Sequence, residues 1–493
     1  MNERASSAEV GVVRGKRVTV MGLGRFGGGV GVTRWLCERG ADVLVTDVDS
    51  EDKLTDSLAS IRGLVDSGRV RLRLGGHNVA DFTREGGCDL VVANVAVPRP
   101  WENRFLRAAE AAGVPITTEI TLTVEELRRV GGRGVERIVG ITGSAGKSTT
   151  TAMVHHALRT VLGRETRDGA HRVVMGGNIG GSLLGEMDRI GPDTVVVLEL
   201  SSAMVYWLER TLSPAWSPRV AVITNVSPNH IDWHGDFAHY AASKRHLIEH
   251  QREGDAAVLG EVVWDWRSGM RAGAVMIDPE TFTLPLKLPG EHNRTNAAGA
   301  LAACRAIAPE VEAAEFARAI AGFTGLAHRL QLVCERPVGC GGKGGVIRFY
   351  NDSKSTTPES ALRAVEAVAS MPGVSMANVH LIAGGYDKGS DLSPIARLGE
   401  RLAGLYTIGA TGPSIAGAAG GAAIECGSLG RAVSTALGRM RAGDVLLLSP
   451  GCASWDQYVN FEKRGEEFVR LVGAAGPTPK GDIGVTPVGS VIQ

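Results

Sequence analysis

Short apolar runs recur along the chain, each closed by a glycine- or hydroxyl-rich polar stretch, and between them apolar residues fall every third or fourth position. The runs lie at residues 16–21, 42–47, 89–94, 138–141, 194–199, 219–225, 346–350, 379–382, 405–408 and 445–448. Runs this short, rich in valine, isoleucine and leucine, are the mark of strands buried on both faces, and the longer periodic stretches between them read as helices. Amphipathic stretches reach Gly40 from the first turn, continue from Lys147 through Leu158, and recur at residues 236–248 and 297–307. Thr357-Pro358-Glu359 is a helix start with a cap, an N1 proline and a first-turn acid. Strand and helix alternating in this way predict an α/β protein with parallel sheets.

The pattern falls into three blocks, which agrees with a soft prior of about 150 residues per domain. Residues 1–14 are expected to be a flexible N-terminus, 15–133 a Rossmann-like nucleotide-binding domain, 134–325 a P-loop ATPase-like parallel sheet, 326–475 a Rossmann-like α/β domain, and 476–493 a flexible tail rich in glycine and proline. Gly131-Gly132-Arg133-Gly134 reads as the hinge between the first two. Basic and acidic residues both number 53, so there is no electrostatic case for nucleic acid or an anionic membrane. The seven cysteines are odd in number and scattered, with no Cys-x-x-Cys pair, and read as reduced, mostly buried thiols. With no apolar core for a signal peptide in residues 1–10 and no later run long enough to span a bilayer, a cytoplasmic protein is expected.

Two glycine-rich turns carry the candidate nucleotide chemistry. Gly143-Ser144-Ala145-Gly146-Lys147-Ser148-Thr149 joins the run at 138–141 to the helix from Lys147. In that geometry backbone N–H groups close on phosphate oxygens, the helix dipole adds attraction, the lysine supplies a point charge and Ser148 is placed to hold Mg²⁺. The spacing is shorter than the usual P-loop, because the position five before Gly146 is Ile141. Gly22-Leu23-Gly24-Arg25-Phe26-Gly27 follows the first run, and Asp47 lies 20 residues past Gly27. This is the Rossmann fingerprint, which alone does not choose between NAD and another nucleotide, or a purely structural turn.

Other candidates sit where such sheets gather ligands, past the carboxyl ends of strands. Glu199 and His230 end or follow two runs in the middle block and suit Mg²⁺ beside the phosphates. His230-x-x-x-His234 has zinc spacing but lacks the glutamate of the helical zinc motif. Lys244 in a helical stretch reads, by itself, as a solvated lysine. Asn293 and Asn296 at a helix start serve as caps or hold a base or ribose. The loops after the last strands, with Lys354, Thr356, Lys388 and Ser454, make a site for a small anionic substrate. The loop opened by Asn94 stands at a further strand end.

Taken in order, Gly-x-Gly-x-x-Gly, the short Gly-Ser-x-Gly-Lys-Ser loop, Gly176-Gly-Asn178-Ile-Gly180, Leu198-Glu-Leu-Ser-Ser202, Asn225-x4-His230-x-Asp232, Gly290-x-His-Asn293-x-x-Asn296, His328-Arg329, Asn351-Asp-Ser-Lys354 and Ser449-Pro-x-Cys-Ala-Ser454 resemble the Mur ligases over roughly residues 15 to 475. The stretch from Leu448 through Asn460-Phe461-Glu-Lys-Arg464-Gly465 is similar to the members that add D-glutamate. The resemblance implies ATP-driven amide formation in peptidoglycan precursor synthesis: a UDP-linked muramoyl-L-alanine carboxylate becomes an acyl phosphate, which the D-glutamate amine attacks. It implies that Ser148, Glu199 and His230 hold Mg²⁺ and that Lys244 is a carbamylated lysine able to coordinate it. Gly143, Ser144, Gly146, Lys147, Ser148, Thr149, Asn178, Asn293, Asn296, Arg329 and Asp352, with His328 beside them, would contact ATP. Lys147, Glu199, His230 and Lys244 would be catalytic. Lys388, Ser454, Trp455 and Phe461 would form the D-glutamate pocket and Gly22, Gly24 and Gly27 with Asp47 would hold the uridine diphosphate end, while Asn94, Ser201, Ser202, Lys354 and Thr356 are further candidates for binding substrate. No NAD is then expected, and a monomer is. Since the phosphate loop and the Lys388 and Ser454 loops lie in different blocks, closure across a cleft is expected.

Three departures from the family pattern stand out: Ala145 for the usual asparagine, Ala203-Met204 for the common Phe-Gln, and Asn94-Val-Ala-Val-Pro98 for Ser-Pro-Gly. They motivate the alternative of a related ligase with another carboxylate acceptor; an NAD-linked oxidoreductase is the alternative from a different class.

Overall fold

In a computed structural model of the chain, the residues described are 13–24, 27–130, 137–166, 169–338, 345–386 and 389–474. The expected hinge at 131–134, the tail from 476, nearly all of the N-terminal extension and Lys388 lie outside them. The described residues fall into two compact units, one holding residues up to 283 with 295–320, the other 284–294 with those from 321 on.

The first unit contains two sheets. One is built from β1 (Arg17–Met21), β2 (Asp42–Thr46), β3 (Val70–Arg73), β4 (Leu90–Ala93) and β5 (Ile116–Thr117), all parallel, in the order β3-β2-β1-β4-β5. The other is built from β6 (Ile138–Thr142), β7 (His171–Gly177), β8 (Ile190–Glu199), β9 (Val220–Ile223), β10 (Ala256–Leu259) and β11 (Gly273–Met276), again parallel, in the order β11-β10-β9-β6-β8-β7. Central strands such as β4, β6 and β9 are buried at every position, as the continuous apolar runs require. One apolar cluster takes in both sheets and the segments packed on them, with Val20, Trp35 and Leu127 from the first block and Ile138, Leu183 and Leu198 from the second.

The second unit holds β12 (Gln331–Pro337), β13 (Val346–Asn351), β14 (Val379–Gly384), β15 (Gly404–Ile408), β16 (Ala423–Gly427) and β17 (Val445–Leu448), ordered β12-β13-β17-β14-β15-β16. All pairs are parallel except β12 with β13. Thr357 caps the helix Pro358–Ala369 in a capping box with Ser360, as its sequence predicts.

Strands β3, β5, β7, β10, β11, β12 and β16 are absent from the sequence-based expectation. Most lie at sheet edges, where one face meets water and the apolar run breaks up: β3 reads Val-Arg-Leu-Arg, and only Val70 is fully buried. The helix expected at 297–307 begins earlier, at Glu291. Asn293 and Asn296 are therefore interior helical residues and not caps, a correction caused by the polar first turn, which carries no apolar period to read.

Candidate active site

In each sheet the candidate side chains cluster where the strand order reverses, the crevice that an open parallel sheet leaves beyond its carboxyl ends. In the middle sheet that place is the end of β6, flanked by β8 and β9.

The turn after β6 is one that only glycine allows. Gly143 has φ +148°, and a Cβ there would fall 2.0 Å from Thr224 Oγ1; Gly146 has φ +80°, and a Cβ would lie 2.4 Å from Asn296 Oδ1. Positive φ at Gly146 turns the chain directly into the helix Lys147–Leu162, whose free N–H groups face the turn. Neighbouring segments clamp the loop. The Ala145 N–H donates to Asn225 Oδ1 (2.9 Å), and the Ala145 carbonyl accepts from Thr224 Oγ1 (2.6 Å) and Asn225 Nδ2 (3.1 Å). Ser144 Oγ bonds the Ser227 carbonyl at 3.0 Å and Tyr240 OH at 2.8 Å. Position 145 is held by its backbone and its side chain is exposed; nothing in the structure explains alanine there in place of the usual asparagine. Lys147 Nζ donates to the Ser144 carbonyl at 3.0 Å.

Glu199 ends β8 and is fully buried. Asn178 Nδ2 donates to its Oε1 at 2.7 Å, while Oε2 has no partner. An orphaned carboxylate oxygen buried at a phosphate-binding edge fits a hard divalent cation, and Ser148, also buried, stands at the second position of the adjoining helix.

Lys244, on the helix Phe237–Glu249, is 1% exposed and is not the solvated lysine its sequence context suggests. It donates to the Gly143 carbonyl at 2.9 Å and lies over the Tyr240 ring at 4.6 Å. Burial, reinforced by the charge of Lys147 and opposed by Glu199, pushes its ammonium down to about 6. At neutral pH the amine is therefore largely uncharged and nucleophilic.

His230 has left-handed backbone (φ 52°) and caps the short helix Ile231–His234. Its imidazole is exposed, and partial desolvation with Lys147 and Lys244 nearby lowers its pKa, so it is neutral at pH 7. His234 is no metal ligand: its Nε2 meets Ser202 Oγ at 2.9 Å and its Nδ1 meets His239 Nδ1 at 2.9 Å, with Ser243 Oγ at 3.4 Å. Sequence reasoning passed over this buried contact. It ties together the segments that carry Glu199, His230 and Lys244. Asn296 accepts from Thr150 Oγ1 at 3.4 Å, while Asn293 donates to the Pro289 carbonyl at 2.6 Å.

At the reversal point of the first sheet, Asn94 Nδ2 reaches the Gly22 carbonyl at 3.4 Å. Asp47 is buried: Oδ2 accepts the Gly24 N–H at 3.0 Å and Oδ1 the Asp49 N–H at 2.9 Å. It braces the glycine turn. Ser201 caps the helix Ser202–Thr211 through the Met204 N–H.

In the second unit Asp352 follows β13. Its Oδ1 accepts the Leu330 N–H at 3.0 Å and its Oδ2 the Ser449 hydroxyl at 2.8 Å. Burial raises its pKa from 3.8 to about 7 despite these bonds and Arg329. A carboxyl with a raised folded pKa holds its proton more tightly in the native state, so the stability it contributes is complete below about pH 4 and is lost as pH rises through about 7. The thermal midpoint of Asp352→Asn is accordingly expected to gain on the wild type between pH 5 and 8; a constant difference would refute this reading.

His328 packs against Asn351 Nδ2 (3.0 Å) and edge-on to Phe461 (6.1 Å between centroids), and Lys354 Nζ lies 5.3 Å over the Phe461 ring. Thr356 is half-buried, Ser454 is buried, and Trp455, 59% exposed, stands 5.5 Å from Tyr386. Behind these loops lies a buried cation that the sequence offers only as part of a motif. Arg464 donates to Ser353 Oγ and O and to the Cys452 and Ala453 carbonyls, all at 2.9–3.1 Å. It pins the β13 and β17 loops together. Arg464→Ala strands those carbonyls, and a loss of about 3 kcal/mol or more is expected in urea denaturation.

Residues 141–263 match the family model for the Mur ligase middle domain, and residues 328–452 that for the Mur ligase glutamate ligase domain. The chain is 33% identical to UDP-N-acetylmuramoylalanine--D-glutamate ligase of Pelotomaculum thermopropionicum, over 93% of this chain and 97% of that protein. It is 36% identical to the protein of the same name from Anaeromyxobacter dehalogenans, over 93% and 98%. Among solved structures, MurF from Acinetobacter baumannii is similar in fold, with a TM-score of 0.51 and 15% identity over 74% of this chain and 87% of that one.

Proposed function

The chain belongs to the Mur ligase family, and from that premise we infer that it is an ATP-dependent, ADP-forming ligase that adds D-glutamate to UDP-N-acetylmuramoyl-L-alanine in peptidoglycan precursor synthesis. The observation that carries the reaction type is the convergence of Lys147, fully buried Glu199 and desolvated Lys244 on one strand-end crevice. The amino acid and acceptor rest on relatives that match nearly end to end.

A carboxylate is a poor electrophile until one of its oxygens leaves as phosphate. The muramoyl-alanine carboxylate attacks the γ-phosphorus of ATP, the β–γ bridging P–O bond breaks, and ADP departs. The amine nitrogen of D-glutamate, having shed a proton, then attacks the acyl carbon; the tetrahedral adduct collapses with loss of inorganic phosphate. We assign to Lys147 and the N–H groups of the turn the task of neutralising charge on the transferring group, where charge stabilisation is the main lever. Ser148, Glu199, His230 and Lys244 would hold Mg²⁺, which when bound screens the phosphate oxygens from the incoming carboxylate. A neutral Lys244 amine adds to CO₂ to give an N-carboxylate, the anionic form that suits this position. Holding amine and acyl phosphate together is worth on the order of 7–11 kcal/mol. That falls to Lys354, Thr356, Ser454 and Phe461, with Lys388, as the amino-acid pocket. Asn178, Asn293, Asn296, Arg329 and Asp352 are assigned to ATP, and Gly22, Gly24, Gly27, Asp47, Asn94, Ser201 and Ser202 to the UDP-linked substrate. The three sheets would then be three domains with these three tasks. No described helix is long and apolar enough to cross a membrane.

Phosphate release measured with ATP, Mg²⁺, UDP-N-acetylmuramoyl-L-alanine and a panel of amino acids tests the assignment. Stimulation by D-glutamate above the others is expected; its absence would overturn the acceptor, and stimulation only with a different carboxylate donor would favour the related-ligase alternative.

A further inference from the structure

Three segments of the first unit that precede strands, residues 214–215, 250–252 and 268–271, come before β9, β10 and β11 respectively. They meet at the amino edge of the middle sheet, opposite the phosphate loop. With the last turn of the helix Phe237–Glu249 they line an open cleft of about 490 Å³, within the range of small-molecule sites.

Its lining is unusual in charge and chemistry. Arg245, Arg252 and Arg271 all face it. Arg245 has Glu249 at 3.6 Å, but that carboxylate is also held by His246 at 2.7 Å. Arg252 and Arg271 are exposed and have no carboxylate in ion-pair range among the described residues. Trp266 and Met270, half-buried, supply an apolar wall. Gln251, 4% exposed, gives both amide hydrogens to the Pro218 and Ala256 carbonyls and leaves Oε1 without a partner. Two guanidinium forks without an ion-pair partner among the described residues suit a phosphate dianion, and an indole in the wall suits a planar base.

We propose that this cleft is a second nucleotide site, binding a nucleoside monophosphate, and that its occupancy is felt at the phosphate loop. The link is the helix Phe237–Glu249: Arg245, which lines the cleft, follows Lys244, which bonds the Gly143 carbonyl. The helix residues of the cleft lie within about 8 Å of Lys244 along its axis at 1.5 Å per residue. An occupant that draws Arg245 moves the turn carrying Lys244.

Calorimetric titration of AMP into the full chain saturated with ADP and Mg²⁺ tests binding, because the phosphate loop is then filled. One further equivalent is expected to bind, at least tenfold more weakly in Arg252→Ala and Arg271→Ala, whose exposed side chains leave the fold intact by near-UV circular dichroism, and more weakly for adenosine. No AMP heat beyond ADP, or heat unchanged in both variants, overturns the site. The coupling rests on the ligase reading and is tested separately. At saturating ATP, bound AMP is expected to change the rate at least twofold in the wild type and not in the double variant. An unchanged wild-type rate with AMP bound overturns the coupling alone.

Discussion

Replacing Lys147 with alanine is expected to lower kcat by about 10³-fold or more while leaving the fold intact. The side chain is half-buried at the first position of the helix Lys147–Leu162 and donates to its own loop's Ser144 carbonyl, so little packing is lost with it. What is lost, on the proposed mechanism, is a charge set to neutralise the γ-phosphate as negative charge redistributes. Removing a preorganised donor from a phosphoryl or oxyanion site costs 10²–10³-fold, and a cationic finger 10³–10⁵-fold. Because the backbone N–H groups of the turn remain, ATP affinity should fall much less than kcat. Single-turnover phosphate release, with nucleotide binding measured separately, separates the two; unchanged turnover would remove Lys147 from the mechanism.

The second large effect has opposite signs for function and stability. Lys244→Met is expected to abolish turnover and to stabilise the folded protein at pH 7. Burial takes the amine from 10.5 to about 6, so the native state binds fewer protons than the unfolded chain between those values. Wild-type stability is therefore depressed at neutral pH and recovers as pH rises toward 10.5. At about 1.4 kcal/mol per pH unit, less the hydrogen bond to Gly143, the variant should gain a few kcal/mol at pH 7, a gain that shrinks in alkaline buffer. Urea denaturation in Mg²⁺-free, CO₂-depleted buffer at pH 7 and pH 9.5 reads it. A variant less stable than the wild type at both pH values would mean that the amine is not held against its solvation; retained turnover would mean that it is not needed.

That pairing shows where sequence reasoning reached and where it stopped. The strands nearest the chemistry, β1, β4, β6, β8, β9, β13, β14 and β17, were legible because burial on both faces demands unbroken apolar runs, and their polar loops named Gly143 to Thr149, Glu199, His230, Asp352 and Ser454. The edge strand β3 and the short inner strand β10 were not, since Val-Arg-Leu-Arg and Ala-Ala-Val-Leu satisfy other structures equally well. Lys244 shows the limit most sharply: a lysine in a polar helix has no local mark of burial, and its role entered only through resemblance to a family.

By itself the sequence determined the alternation of strand and helix, the two glycine turns and the order of the motifs along the chain, because these depend on residues close together and on the side chains each conformation tolerates. Tertiary structure alone decided which donors and charges meet. It clamped Ala145 between Thr224 and Asn225, left one Glu199 oxygen orphaned, joined Ser202, His234 and Ser243, and stripped water from Lys244 beneath the phosphate loop. Desolvation and hydrogen-bond completion are properties of a packed neighbourhood assembled from residues as far as 101 positions apart, and no local pattern carries them.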